Sequence, residues 1–110
     1  MKKYLLAAGS LVLVLTVSMP LVAADGDAKK GEAVFGDNCA ACHNATTSET
    51  LIGPGLKGLF KKEKLVTGKP SNEANVRAII ESGTGNGMPA LGDTMKADEK
   101  DNLIAYLKTL

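Results

Sequence analysis

The pentapeptide Cys39-Ala40-Ala41-Cys42-His43 constrains this chain more than any other stretch. It holds both cysteines and the only histidine of the 110 residues. Thiol and imidazole chemistry is therefore confined to one turn of backbone. A thioredoxin-like dithiol wants a βαβ setting, and nothing in this sequence alternates strand with helix. A structural zinc site wants four Cys or His ligands, and only three exist. A disulfide closing so short a loop would stabilise little. One use fits all three residues at their spacing: C-x-x-C-H is a pattern of covalent haem attachment. Each sulfur adds to one vinyl group of the porphyrin, and the next residue turns a ring nitrogen toward the iron.

Residues 1–24 read as a secretory signal peptide. Lys2 and Lys3 form its positive start, Leu5 to Val17 its apolar run, and Pro20 breaks that run. Val22-Ala23-Ala24 places small residues where a signal peptidase reads, with Asp25 as the new N-terminus. The rival is an uncleaved membrane anchor, for which the run is short against a span of about 20 residues. No cysteine follows the run, so a lipid anchor at that site is not supported. Losing the leader removes Lys2 and Lys3 and no acid, so a formal charge of +1 becomes −1. That balance is too weak to imply nucleic acid or another polyanion.

Residues 25–110 then form one small domain, hard to stabilise with side chains alone. Its aromatic residues are only Phe35, Phe60 and Tyr106, and tryptophan is absent. A buried porphyrin would supply the missing apolar bulk. Three helices are expected. The first covers 27–39, capped by Asp27. Gly31, Val34 and Phe35 share one side of it. Glycine inside a helix costs about 1 kcal/mol against alanine, which a second helix crossing closely at Gly31 would explain; a tolerated surface glycine is the alternative. The second covers 72–82, capped by Ser71 after Pro70 and stopped by Gly83. The third covers 98–109, with Asp98, Glu99 and Asp101 at its positive end and Lys108 at the other. Leu103, Tyr106 and Leu107 are expected to pack across Gly31 and Phe35.

Residues 44–70 read as loop with a short helical turn. Gly53-Pro54-Gly55 is either a plain turn or the place where the Pro54 carbonyl accepts the second ring N–H of His43, since ligating histidines normally give that proton to a fixed acceptor. Leu51, Ile52, Leu56, Leu59 and Phe60 are expected to line the proximal side of the haem or the core. Lys61, Lys62 and Lys64 make a small basic run, either solvated surface or a docking patch for an acidic redox partner. The stretch from Gly83 to Gly92 holds four glycines at positions 83, 85, 87 and 92. That density favours close approach of backbone to a flat ligand, and no G-K-[ST] makes it a phosphate loop. Met88, between this loop and Pro89, is the candidate distal ligand, because thioether sulfur is a soft donor to haem iron. Met95 is the other methionine of the domain and the alternative. With one histidine, ligation by two histidines of the chain is excluded.

The ordered set Gly31-x-x-x-Phe35, Cys39-x-x-Cys42-His43, Gly53-Pro54-x-Leu56, Gly87-Met88-Pro89-Ala90 and Leu103-x-x-Tyr106-Leu107 resembles the small bacterial class I c-type cytochromes. The resemblance covers nearly all of residues 25–110. It implies an all-α fold of three main helices packed around one covalently bound haem c, with N- and C-terminal helices crossing. It implies thioethers at Cys39 and Cys42, iron held by His43 and Met88, and the Pro54 carbonyl turned to His43. Many relatives carry a tryptophan near the haem propionates, which this chain lacks. Lys69, Arg77 and the backbone of 83–87 stand as candidates in its place.

The function implied is a soluble one-electron carrier, not an enzyme, exported to the periplasm. It would be a monomer meeting donor and acceptor proteins transiently, with no nucleic acid and no stable membrane association. A thiol–disulfide oxidoreductase, a ligand-sensing haem protein and a peroxidase are the rivals. The last needs distal acid or base groups, and none lies near Met88 in sequence.

Overall fold

The computed structural model describes residues 26–110, together with Gly9 and residues 12–15. The expected leader and its cleavage point otherwise lie outside the described residues. Three α-helices form: α1 (Ala28–Asn38), α2 (Glu73–Ser82) and α3 (Ala97–Leu107), with one 3-10 turn at Leu59–Lys61. Among the described residues there is no strand, only an isolated antiparallel bridge between Lys64 and Pro70. The all-α expectation holds, and each helix begins and ends within two residues of its expected range.

The caps explain the boundaries. Asp27 accepts hydrogen bonds from the N–H groups of Lys29 and Lys30, at 2.9 and 3.2 Å, and so starts α1. For α2 the expected cap is corrected. Asn72, not Ser71, accepts from a first-turn donor, the Asn75 N–H at 2.9 Å. The Ser71 hydroxyl instead donates to the Leu59 carbonyl at 2.6 Å, tying the approach to α2 onto the 3-10 turn. Both residue types cap well, and the long-range bond takes Ser71 out of the competition. Gly83 ends α2 at φ 70°, the left-handed region that glycine enters without cost. Asp98 and Glu99 lie in the first turn of α3. There the Glu99 carboxylate accepts from the Lys96 N–H at 3.4 Å.

α1 and α3 cross at Gly31. A Cβ on Gly31 would overlap the Asn102 carbonyl of α3 and stand 2.8 Å from the Tyr106 Cβ. The two backbones therefore touch, and only glycine permits it. Asn102 adds a polar tie, its Oδ1 accepting from the Asp27 N–H at 2.7 Å. Beside the crossing, the Phe35 and Tyr106 rings meet at 5.5 Å with a 59° tilt, within the favoured range for aromatic pairs. Leu103, Ile104 and Leu107 of α3 are buried with Val34 and Phe35 of α1, and Val76 and Ile80 of α2 close the cluster.

Gly31→Ala should destabilise the protein by roughly 1–3 kcal/mol through overpacking, lowering the midpoint of thermal or denaturant unfolding. An unchanged midpoint would remove the backbone contact from this account.

Candidate functional site

The helices and the intervening loops enclose a cavity of about 760 Å³. Its walls come from five places: the turn after α1, the loop around Pro54, the 3-10 turn and the segment after it as far as Thr67, the inner faces of α2 and α3, and the glycine-rich loop after α2. Cys39, Cys42, His43 and Met88 all line it. Residues 45 positions apart in sequence are thus brought to one space that is otherwise mostly aliphatic, with Leu56, Val76, Ile80 and Leu103 among its walls.

The cysteine turn grows directly out of α1. Cys39 is the C-cap residue, with its N–H on the Phe35 carbonyl at 2.8 Å. The N–H groups of Cys42 and His43 then both return to the Cys39 carbonyl, at 3.1 and 2.9 Å. This tight return keeps both cysteines at the cavity wall. The two thiols are unbonded to each other. Burial pushes the Cys39 thiol up to about 11, with the neighbouring Cys42 adding to the effect. A dithiol catalyst needs the opposite, a thiolate favoured near neutral pH.

The His43 ring is fixed from two sides. Its Nδ1 lies 2.8 Å from the Pro54 carbonyl. A carbonyl only accepts, so Nδ1 carries the proton and donates, and the Nε2 lone pair is left for a metal. Gly53 lies flat against the ring, where a Cβ would come within 2.8 Å of Nδ1. The Gly53 N–H donates to the Cys42 carbonyl at 2.7 Å, and the Leu56 N–H to the Asn44 carbonyl at 2.8 Å. Residues 53–56 are therefore laid along 42–44. Pro54 is the acceptor, and the adjacent glycine, expected only to bend the chain, makes room for the imidazole.

Of the two methionines in residues 25–110, Met88 lines the cavity and Met95 does not. Met95 is 5% exposed within the apolar cluster, a core side chain. Leu51 was expected on the proximal wall or in the core; it is 54% exposed and in neither. Ile52 does line the cavity but is 79% exposed, so it sits at the rim. The candidates for propionate contacts also need correction. Arg77 is bound to Glu73 and Asp101, between α2 and α3 and away from this cavity, and Lys69 does not line it. The cationic residues at the wall are Lys62 and Lys64. The isolated bridge explains the exchange: Leu65 N–H bonds the Lys69 carbonyl at 2.8 Å, which turns the chain back between them.

Two unbonded thiols, an imidazole with Nε2 free and a thioether, all on one apolar cavity, fit a flat, metal-centred, apolar group. Comparison with known proteins agrees. The family described as cytochrome C oxidase, cbb3-type, subunit III matches residues 26–107. A cytochrome c6 of Diacronema lutheri is 34% identical over 74% of this chain and 94% of its own length. A cytochrome c2 of Rhodospirillum rubrum is 32% identical, with 100% of this chain and 99% of its own length covered. The crystal structure of cytochrome c6 from the diatom Phaeodactylum tricornutum superposes with a TM-score of 0.60 at 28% identity, covering 76% of this chain and 93% of that one.

The cavity also bears on stability. At about 24 cal/mol per Å³, an unfilled 760 Å³ would cost on the order of 18 kcal/mol. Water entering through the open mouth makes that an upper bound. Even a third of it rivals the roughly 5–15 kcal/mol that holds an ordinary domain together. A Cys39→Ala, Cys42→Ala variant produced without haem should therefore be largely unfolded by circular dichroism. A native-like apoprotein that melts cooperatively would refute this.

Proposed function

The chain belongs to the small class I c-type cytochromes, and we propose that His43 and Met88 are the axial ligands of the haem bound at Cys39 and Cys42. The protein is a one-electron carrier with one covalent c-type haem. The haem supplies the one-electron iron couple. The protein's own residues attach it, orient it and exclude water from it. The single observation that carries the ligand assignment is that His43 and Met88 line the same cavity, with the His43 Nδ1 already bound to Pro54. Nitrogen and sulfur ligation raises the haem potential. Held by the His43 imidazole and the Met88 thioether, the iron would offer a substrate no open coordination site, which favours carriage over catalysis.

The leader at 1–24 supports export to the periplasm, with the domain at 25–110 acting there without an anchor. Among the described residues no helix is long and apolar enough to cross a membrane. We read the working form as a monomer that meets its donor and acceptor transiently and binds no nucleic acid. The mouth of the cavity suits brief docking. Ile52 and Val66 present exposed apolar side chains at its edge. Five lysines, at 57, 61, 62, 64 and 69, crowd the segment beside it, against one acid, Glu63. An acidic partner face would be steered to that edge.

The visible spectra of the purified holoprotein test the ligands. Met88→Ala should abolish the far-red band of methionine-ligated ferric haem and let the reduced protein bind carbon monoxide rapidly, where the natural protein does not. Identical spectra and rates in both would exclude Met88. Mass spectrometry that found both thiols unmodified would instead favour the dithiol reading. Changing Lys61, Lys62 and Lys64 together to glutamine should slow electron exchange with an acidic partner by roughly tenfold at low salt. The difference should shrink as ionic strength rises. Equal rates at low salt would place docking elsewhere.

A further inference from the structure

Thr84 grips Met88 at both of its main-chain polar groups. The Thr84 N–H donates to the Met88 carbonyl at 3.2 Å. The Thr84 hydroxyl oxygen accepts from the Met88 N–H, also at 3.2 Å. Gly85 and Gly87 between them, at φ 78° and 148°, let the loop double back far enough for these bonds to close. Gly83 packs so tightly beneath that a Cβ there would overlap the Met88 carbonyl. The base of the loop is pinned to the end of α2. Gly83 N–H bonds the Ile79 carbonyl at 2.7 Å, Leu91 N–H the Ile80 carbonyl at 2.8 Å, and Gly92 N–H the Glu81 carbonyl at 3.3 Å. Thr84 and Met88 both line the cavity.

We propose that Thr84 is a positioning residue for the Met88 thioether, its hydroxyl holding the Met88 main chain so that the sulfur is kept at the cavity. The proposal rests on Met88 being an axial ligand. Its physical basis is what a thioether lacks. Sulfur there is only a weak acceptor with no proton to give, so a hydrogen bond aims it far less firmly than Pro54 aims His43. Its placement falls mainly to the backbone. Among the described residues, the Thr84 hydroxyl is the one side-chain group bonded to residues 85–90. The loop then has a closed state, with sulfur at its post, and an open state that admits an outside ligand. The apparent affinity for that ligand scales with the open fraction.

Thr84→Val keeps the branched shape and the main-chain bond but removes the acceptor. Thr84→Ser keeps the acceptor. Oxidised holoprotein is titrated with imidazole at neutral pH, following the haem absorption, for the natural protein, both variants and Met88→Ala. Losing one hydrogen bond should tighten apparent imidazole binding roughly 3- to 10-fold in Thr84→Val, with Thr84→Ser within about twofold of the natural protein. Unchanged affinity in Thr84→Val overturns the proposal. So does a Thr84→Ser variant as perturbed as the valine. If valine prevents folding, Thr84→Ala removes the same acceptor without the branch and is read the same way. Equal affinity in the natural protein and Met88→Ala would show instead that Met88 is no ligand, which removes the premise as well.

Discussion

The contact of the Gly31 backbone with the Asn102 carbonyl sets where the functional groups can stand. α1 runs from that contact straight into Cys39, with no linker between the helix and the first thiol. α3 runs from the same contact with Leu103 and Leu107 on its inner face, and both side chains line the cavity. Separating the two helices by the width of one methyl group would move the thiols away from the apolar wall that faces them. The glycine costs about 1 kcal/mol in helix propensity. Burial around the crossing offsets it, since Leu103 is fully buried and Phe35 and Tyr106 pack ring against ring.

The two sides of the cavity are built on different principles. On the His43 side a polar ring is gripped through its own atoms: the Pro54 carbonyl accepts the Nδ1–H hydrogen bond and Gly53 braces the flat face. The supporting segment is itself stitched to the cysteine turn by the Gly53–Cys42 and Leu56–Asn44 bonds. Attachment and orientation are therefore one mechanical unit. On the Met88 side the proposed donor atom, a thioether sulfur, offers only a weak handle, and control passes to loop conformation. Loops held by a few backbone bonds open more readily than packed helices. Under the proposed ligation, the chemistry of the two donor atoms sets which side yields first when an outside molecule competes for the iron.

Much of this was legible in the sequence, for a physical reason. Patterns that depend on bonding rules within a few residues survive without any knowledge of the tertiary fold. The cysteine turn, the Asp27 cap, the Gly83 stop and the apolar faces of the first and third helices are of that kind. Gly31 was legible too, because a glycine amid good helix formers needs a tertiary cause. What failed depended on which way the chain turns in space. Lys69 and Arg77 were suitable donors by charge, yet Lys62 and Lys64, before and at the start of the turn closed by the Lys64–Pro70 bridge, line the cavity, and Arg77 is taken by Asp101. Leu51 is apolar but lies on the outer side of the bend that carries Pro54 inward. Ser71 was expected to cap α2, but Leu59 gave its hydroxyl a partner across the fold, and Asn72 caps instead. The Thr84–Met88 pair is only four residues apart, but its closure depends on two left-handed glycines whose torsions no residue type dictates.

The position of α2 follows from the cavity more than from its ion pairs. Glu73 and Arg77 of α2 reach Lys108, just past the end of α3, and Asp101 of α3. The hydrogen bond from Lys108 lowers the Glu73 carboxyl below its usual range, and Asp101 raises the Arg77 guanidinium. All of these groups are substantially exposed, however, and exposed pairs contribute only about 0–1 kcal/mol. The buried attachments of α2 are Val76 and Ile80, and both face the cavity as well as the core. The Met88 loop hangs from the carbonyls at the end of the same helix. A helix whose inner face is half core and half cavity wall is firmly seated only when the cavity is filled. Filling it therefore does two things at once: it secures α2, and through Ile80 and Glu81 it secures the loop that presents the sulfur.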